Sequence, residues 1–259
     1  MKSRSLKDML KSPDVKIGNF IVEFATPGIG HILKAAGCDF AFFDMEHSGF
    51  SFETLKSAIR YFEAAGVAVI VRVPAQENDM LARACDMGAE GLIAPMISTA
   101  AQAQAMVDSI KYFPRGKRGV GLQIAHDNYS PASVADALNN ANDRTAVICL
   151  IETAQGAENA DAIAAIADVD CLWVGHFDLS VSLGVPGEFS HPKFEAAMNK
   201  IISAAKKHNK SMGRLVPSVE QGIAYYKQGF DFICYSGDVW VLREGLTAAA
   251  KSIREGVRG

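Results

Sequence analysis

The chain has 259 residues, of which 49% are hydrophobic and 8% aromatic, enough for one sizeable core and outside the composition of disordered chains. Its 26 basic and 29 acidic residues leave a formal charge of −3 with no run of five like charges, which argues against nucleic acid or an anionic membrane as the main partner. A chain of this length is either two small domains or one α/β barrel.

In chain order, the opening stretch MKSRSLKDMLKS is charged and lacks an apolar segment of signal-peptide length. No later segment approaches the ~18 apolar residues of a membrane span, so a soluble, cytoplasmic protein is expected. Apolar, β-branched-rich runs then recur at 17–24 (IGNFIVEF), 40–46 (FAFFDME), 67–73 (VAVIVRV), 91–96 (GLIAPM), 147–152 (VICLIE), 171–176 (CLWVGH), 211–216 (SMGRLV) and 232–237 (FICYSG). They are near-continuous rather than alternating, the pattern of parallel strands covered on both faces. Helix-like stretches at 52–65, 99–111 and 194–208 lie between them, and Gly37, Gly66, Gly88 and Gly229 stand where helix C-caps should precede the next strand.

Strand starts are separated by 23, 27, 24, 56, 24, 40 and 21 residues. Eight strand–helix units in about 240 residues predict one (β/α)8 TIM barrel occupying 1–259 as a single domain. The 56-residue gap implies an insertion, covering YFPRGKRGVGLQIAHDNYSP and a further helix near 131–141. An open, doubly wound sheet is the competing arrangement, but no Gly-x-Gly-x-x-Gly follows the first strand. The five cysteines are scattered, without a Cys-x-x-Cys pair, and read as buried reduced thiols.

Barrel chemistry sits at the C-terminal ends of the strands. Those ends carry Asp44, Glu46 and His47 on the second strand, Arg72 on the third, Glu152 on the fifth and His176 to Asp178 on the sixth. Each acid alone could equally cap the following helix or pair on the surface. Four ionisable strand ends around one mouth suggest a site instead. Bringing Glu152 and Asp178 together costs repulsion and desolvation unless a positive group joins them, either Arg72 or a divalent cation. Two carboxylates and no His-x-x-x-His pair select a hard ion, Mg²⁺ or Mn²⁺, over a dedicated zinc site.

The segments DMEHSGFSFETL, VIVRVP, GAEGLIAPMISTAAQA, YFPRGKRGVG, IETAQGAENADAI and VGHFDLSVSLGVPGEFSHPKF, in that order, resemble the HpcH/HpaI family of class II pyruvate aldolases, from about Ile17 to Leu246. The resemblance implies a phosphoenolpyruvate/pyruvate-type barrel, assembled as a homo-hexamer, a trimer of dimers that swap a helix. It implies a divalent metal (Mg²⁺ or Mn²⁺, with Co²⁺ or Zn²⁺ as alternatives) and carbon–carbon cleavage or formation on a 2-oxo acid and an aldehyde. Matched residue by residue, Glu152 and Asp178 take the metal-ligand positions, Arg72 that of the arginine on the keto oxygen, and His47 with Asp44 that of an acid–base dyad in which Asp44 fixes the imidazole tautomer. The substrate pocket is expected to include Arg72, His176 (a wall residue or an added polar contact), Phe177 (a hydrophobic lid, or part of a turn whose amides receive the substrate carboxylate), Asp178 and Leu215, with Glu46 either positioning Arg72 or simply solvated. No lysine ends a strand, which disfavours an imine mechanism; Lys16 and Lys210 stand at strand beginnings.

Three departures bear on the acceptor. The sixth strand reads Gly175-His176-Phe177-Asp178 where the family commonly has Gly-Pro-x-Asp, and Leu150 replaces a common glutamine. No arginine lies between Arg118 and Arg144, where the family carries arginines for the aldehyde end. A dicarboxylic semialdehyde is therefore disfavoured unless Arg214 of the seventh strand binds the distal acid, with a structural salt bridge as the alternative role. Two other functional readings stay open: an enolate enzyme using oxaloacetate, in the manner of macrophomate synthase or the siderophore citrate synthases, and a non-catalytic 2-oxo-acid-binding barrel.

Overall fold

The computed structural model describes residues 5–257; residues 1–4 and 258–259 of the expected domain lie outside them. Eight parallel strands close into a barrel in sequential order: β1 (Lys16–Ile21), β2 (Phe40–Asp44), β3 (Ala68–Arg72), β4 (Gly91–Ala94), β5 (Ala146–Ile151), β6 (Cys171–Val174), β7 (Ser211–Val216) and β8 (Phe232–Gly237). All eight expected runs are strands, and helices cover the outside. The open-sheet alternative is excluded by the β1–β8 pairing.

Alternate residues of each strand serve two cores. Inward-facing Phe40, Phe42, Ile70, Ile148, Trp173 and Phe232 fill the barrel interior. Outward-facing Ala41, Phe43, Val69, Val71, Val147 and Leu172 pack against the helices. This is why the runs read as continuously apolar. Trp173 fits only because β7 offers Gly213 beside it, where a Cβ would stand 2.1 Å from the indole. The short helix Leu6–Leu10 plugs the N-terminal end with Leu6 and Met9, leaving the C-terminal end open.

The helix termini follow local chemistry. Gly66 and Gly229 are left-handed caps at φ 69° and 111°, while Gly37 and Gly88 are left-handed one residue past the cap. The expected 99–111 helix spans Ala100–Ile110, started by a Thr99/Gln102 capping box. The insertion helix begins at Val134 and ends at Arg144, later than 131–141, because Ser133 accepts the Asp136 amide and sets its N-cap. The helix expected at 194–208 starts earlier, at Pro192, and ends at Lys207. β1 ends at Ile21 rather than Phe24. The amides of Val22, Glu23 and Phe24 are drawn off to the buried Asp238 carboxylate at 3.3, 3.0 and 2.8 Å. The five cysteines are free and all but Cys38 are buried. Among the described residues no helix is long and apolar enough to cross a membrane.

Candidate active site

β2 and β3 pair with Asp44 opposite Arg72, so the last residues of two strands meet at the mouth. Asp44 is fully buried and accepts from Arg72 Nε at 2.7 Å and from the backbone amides of Glu46 (3.0 Å) and His47 (3.1 Å). Burial opposes the Arg72 charge, but the Asp44 hydrogen bond and the charges of Asp44, Glu46 and Glu152 outweigh it and hold the guanidinium pKa above its ordinary value. Its guanidinium carbon lies 5.6 Å from the Phe20 ring centroid and 5.7 Å from that of Phe42. Arg72 is thus a fixed cation on an aromatic floor.

The expected contact between Asp44 and the His47 ring is not made. A tight turn after β2 brings the His47 amide, not its imidazole, to the carboxylate, as short Asp side chains commonly do in turns. The ring is 66% exposed, and the carboxylate beside it is Glu46, whose Oε2 lies 3.8 Å from His47 Nε2 and 3.0 Å from Arg72 Nη1. The Arg72 contact is an ion pair without hydrogen-bond alignment, so Glu46 Oε2 is buried with no donor. Burial, helped by Asp44 and Asp178 and opposed by Arg72 and His47, raises the Glu46 pKa.

Glu152 follows β5, is 3% exposed, and accepts the Met96 amide at 2.7 Å. Met96 holds a left-handed backbone, φ 58°, uncommon for a side-chain-bearing residue and found here beside the site. Burial first, then Asp178 and Glu46, push the Glu152 pKa up to about 7 against the Met96 hydrogen bond and the Arg72 charge. A Cβ on Gly175 would stand 2.3 Å from Glu152 Oε2, so glycine alone lets the exit of β6 pass this carboxylate. Asp178 then sits exposed in the first turn of helix His176–Ser182.

These groups line a cavity of about 330 Å³ at the barrel mouth. His47, Arg72, Glu152, His176, Phe177, Asp178 and Leu215 all border it, while Asp44 stands behind Arg72. His176 is a buried wall residue, 4.4 Å from the Phe177 ring and 5.2 Å from Phe189. Burial and the neighbouring Arg214 charge drop its pKa to about 3, leaving a neutral imidazole. Phe177 is exposed over the opening. Three residues escaped sequence reasoning: Met96, Asp238, and Trp240, which stacks on Phe20 at 5.8 Å. An acid directly after β8, in GDVW, was the available signal for the last two.

The donor set fits a hard dication. Among the described residues no three His, Cys, Asp or Glu side chains form a cage, so Glu152 and Asp178 would leave most positions to water and substrate oxygens. The pKa values of Glu152 and Glu46 are raised chiefly by burial, with the nearby Asp178 adding to both, so a dication bound here would stabilise the charged carboxylates.

A closed (β/α)8 barrel with acids, an arginine and a histidine around its C-terminal mouth has the form of a barrel enzyme. The chain belongs to the HpcH/HpaI aldolase/citrate lyase family, whose sequence model matches residues 18–244, and is a carbon–carbon lyase of the aldolase kind. It is 32% identical over 249 residues to the 5-keto-4-deoxy-D-glucarate aldolase of Klebsiella pneumoniae subsp. pneumoniae, covering 96% of both chains. Its fold is similar to an HpcH/HpaI aldolase from Desulfitobacterium hafniense DCB-2 (TM-score 0.91, 29% identity, 97% of both chains). The citrate synthase SbnG is also similar (TM-score 0.87, 28% identity, 98% and 99% of the two chains).

Proposed function

We propose that the protein cleaves a 4-hydroxy-2-oxo acid to pyruvate and an aldehyde, and catalyses the reverse condensation, through a pyruvate enolate in the Arg72–Glu152–Asp178 cavity. The observation that carries this reading is the grouping of acids in one cavity: Glu152 and Asp178 line it with Arg72, whose guanidinium is already paired with Asp44 and Glu46. A divalent ion held by Glu152 and Asp178, Mg²⁺ or Mn²⁺ by the donor chemistry, would when bound supply Lewis-acid stabilisation of the developing enolate charge.

The chain's own residues account for the rest. Arg72, locked by Asp44, donates to the 2-oxo oxygen as negative charge grows there. His47 takes the proton of the C4 hydroxyl; the C3–C4 bond breaks, its electron pair passes to the enolate, and protonation at C3 gives pyruvate. Glu46 is the carboxylate placed to steady the imidazolium. Phe177 and the aromatic floor restrict water at the enolate.

Pyruvate methyl protons should exchange into D₂O with Mg²⁺ or Mn²⁺ present, followed by NMR, and Glu152→Gln should abolish the exchange. No exchange by the wild type, or full exchange by Glu152→Gln, overturns the reading. The likeness to citrate synthase SbnG favours one second reading, the same cavity serving an oxaloacetate-derived enolate and another electrophile. Incubating pyruvate or oxaloacetate with aldehydes and an acyl thioester, and identifying the carbon skeleton formed, separates the two.

Assembly as a cytoplasmic homo-hexamer is part of the proposal. Helix Asp238–Gly256 buries only Asp238 and exposes Leu242, Leu246 and Ile253, while an apolar groove of about 430 Å³ containing Ile17, Ile223 and Ile233 lies open on the barrel wall. Exchange of this helix between copies would cover both surfaces; light scattering on the full chain tests it.

A further inference from the structure

On β7, Gly213 faces the interior against Trp173 and Leu215 packs on the interior cluster. Alternation therefore turns Arg214 outward, into a layer where its strand neighbours Met212 and Val216 are apolar. It is the largest fully buried side chain in the described protein, 1% exposed. The other deeply placed arginines have carboxylates: Arg72 has Asp44 and Arg118 has Asp86. Arg214 has none among the described residues. Its Nε reaches the Leu215 carbonyl at 3.4 Å, its guanidinium carbon lies 3.8 Å over the Tyr225 ring, whose side chain is also a neutral hydrogen-bonding partner, and Nη1 has no partner. The salt-bridge role is thereby removed. A buried guanidinium without an anion is the signature of a site that an anion completes.

Arg214 borders a second cavity, about 540 Å³, that shares His176, Phe177, Leu215 and Trp240 with the enolate cavity. Ser190, Gln221 and Ser236 add neutral hydrogen-bonding groups. Glu244 at its edge is exposed and lies 3.7 Å from Arg243. Among the described residues Arg214 is the only cationic side chain on the wall, which matches a singly charged carboxylate better than a dianionic phosphate.

We propose that Arg214 is a specificity-determining residue that pairs with a carboxylate at the far end of the aldehyde-derived half of the substrate. The inference rests on the aldolase reading above and extends it to the acceptor: an aldehyde bearing a terminal acid. It takes the exception left open for Arg214 in the sequence: with no arginine in the 119–143 segment, the anion receptor is assigned to a barrel strand.

The test compares pyruvate condensation with succinic semialdehyde and with butanal, equal in carbon number and differing in the terminal carboxylate. Wild type, Arg214→Met and Arg214→Lys are measured with the divalent ion present, and pyruvate exchange is read on the same samples. Wild type should favour the acid by at least about tenfold in kcat/KM, and Arg214→Met should raise KM for the acid roughly 10- to 100-fold and erase the preference. Arg214→Lys should restore part of it, since the charge remains but the planar fork is lost. Intact exchange with an unchanged preference in Arg214→Met overturns the subsite alone. Absence of exchange in the wild type overturns the aldolase reading and the subsite with it. If Arg214→Met does not fold, a wild type indifferent to the carboxylate, or a neutral Arg214→Gln variant with undiminished preference, is the contrary result.

Discussion

The two ends of the barrel treat charge in opposite ways. At the N-terminal end an acid immediately precedes each even-numbered strand, and each is satisfied: Asp39 by the Ile17 amide (2.9 Å), Glu90 by Leu6 (3.2 Å), Asp170 by Val147 (2.9 Å) and Asp231 by Met212 (2.9 Å). Asp170 and Asp231 also hold Lys7 and Lys16 at 2.6 and 2.7 Å. At the C-terminal end Glu46 and Glu152 share Arg72 with Asp44, Asp178 adds a further acid beside Glu152, and Arg214 has no acid among the described residues. Charges closed by the protein stabilise the fold; charges left open wait for a ligand.

Three measurements sharpen that contrast. Glu152→Gln should lower enolate exchange by more than about 10²-fold, while its thermal midpoint holds or rises, because a repelled buried carboxylate is removed; a large loss of stability would make Glu152 a fold residue. Asp231→Asn should do the reverse. Lys16, 2% exposed, would lose its counter-charge, costing about 3–5 kcal/mol in urea unfolding, with exchange kinetics retained because the mouth lies at the other end.

The smallest effect is a pH slope. Burial lowers the Lys111 pKa from 10.5 to about 8, its amine donating to the carbonyls of Asn142 and Thr145. The folded value lies below the unfolded one, so between about pH 8 and 10.5 the unfolded chain binds the extra proton and stability rises with pH. Below pH 8 both states are protonated and the full penalty, about 3 kcal/mol, is present. Unfolding of wild type minus Lys111→Met, followed across this range, should show that slope; a flat difference contradicts it.

Much of this was readable from one sequence because the governing interactions are local. Continuous apolar runs need two covered faces, left-handed glycines end helices, and ionisable residues at strand ends such as Arg72 and Glu152 must face the mouth, where the structure places them. The role of Asp44 was not readable. Its position in DMEH suits a contact with the His47 ring, but which atoms it meets depends on the turn geometry and on Arg72, 28 residues away.

The barrel, the order of its strands and the residue types at its open end follow from the sequence by itself, through periodicity and the cost of dehydrating charge. Tertiary structure alone decided pairing: that Asp44 takes Arg72, that Glu46 stands by His47, that Gly175 yields space to Glu152, and that Arg214 is buried without an acid. The physical reason is that a charge's partner is set by distances of a few ångströms between strands far apart in the chain, and no local pattern carries that information.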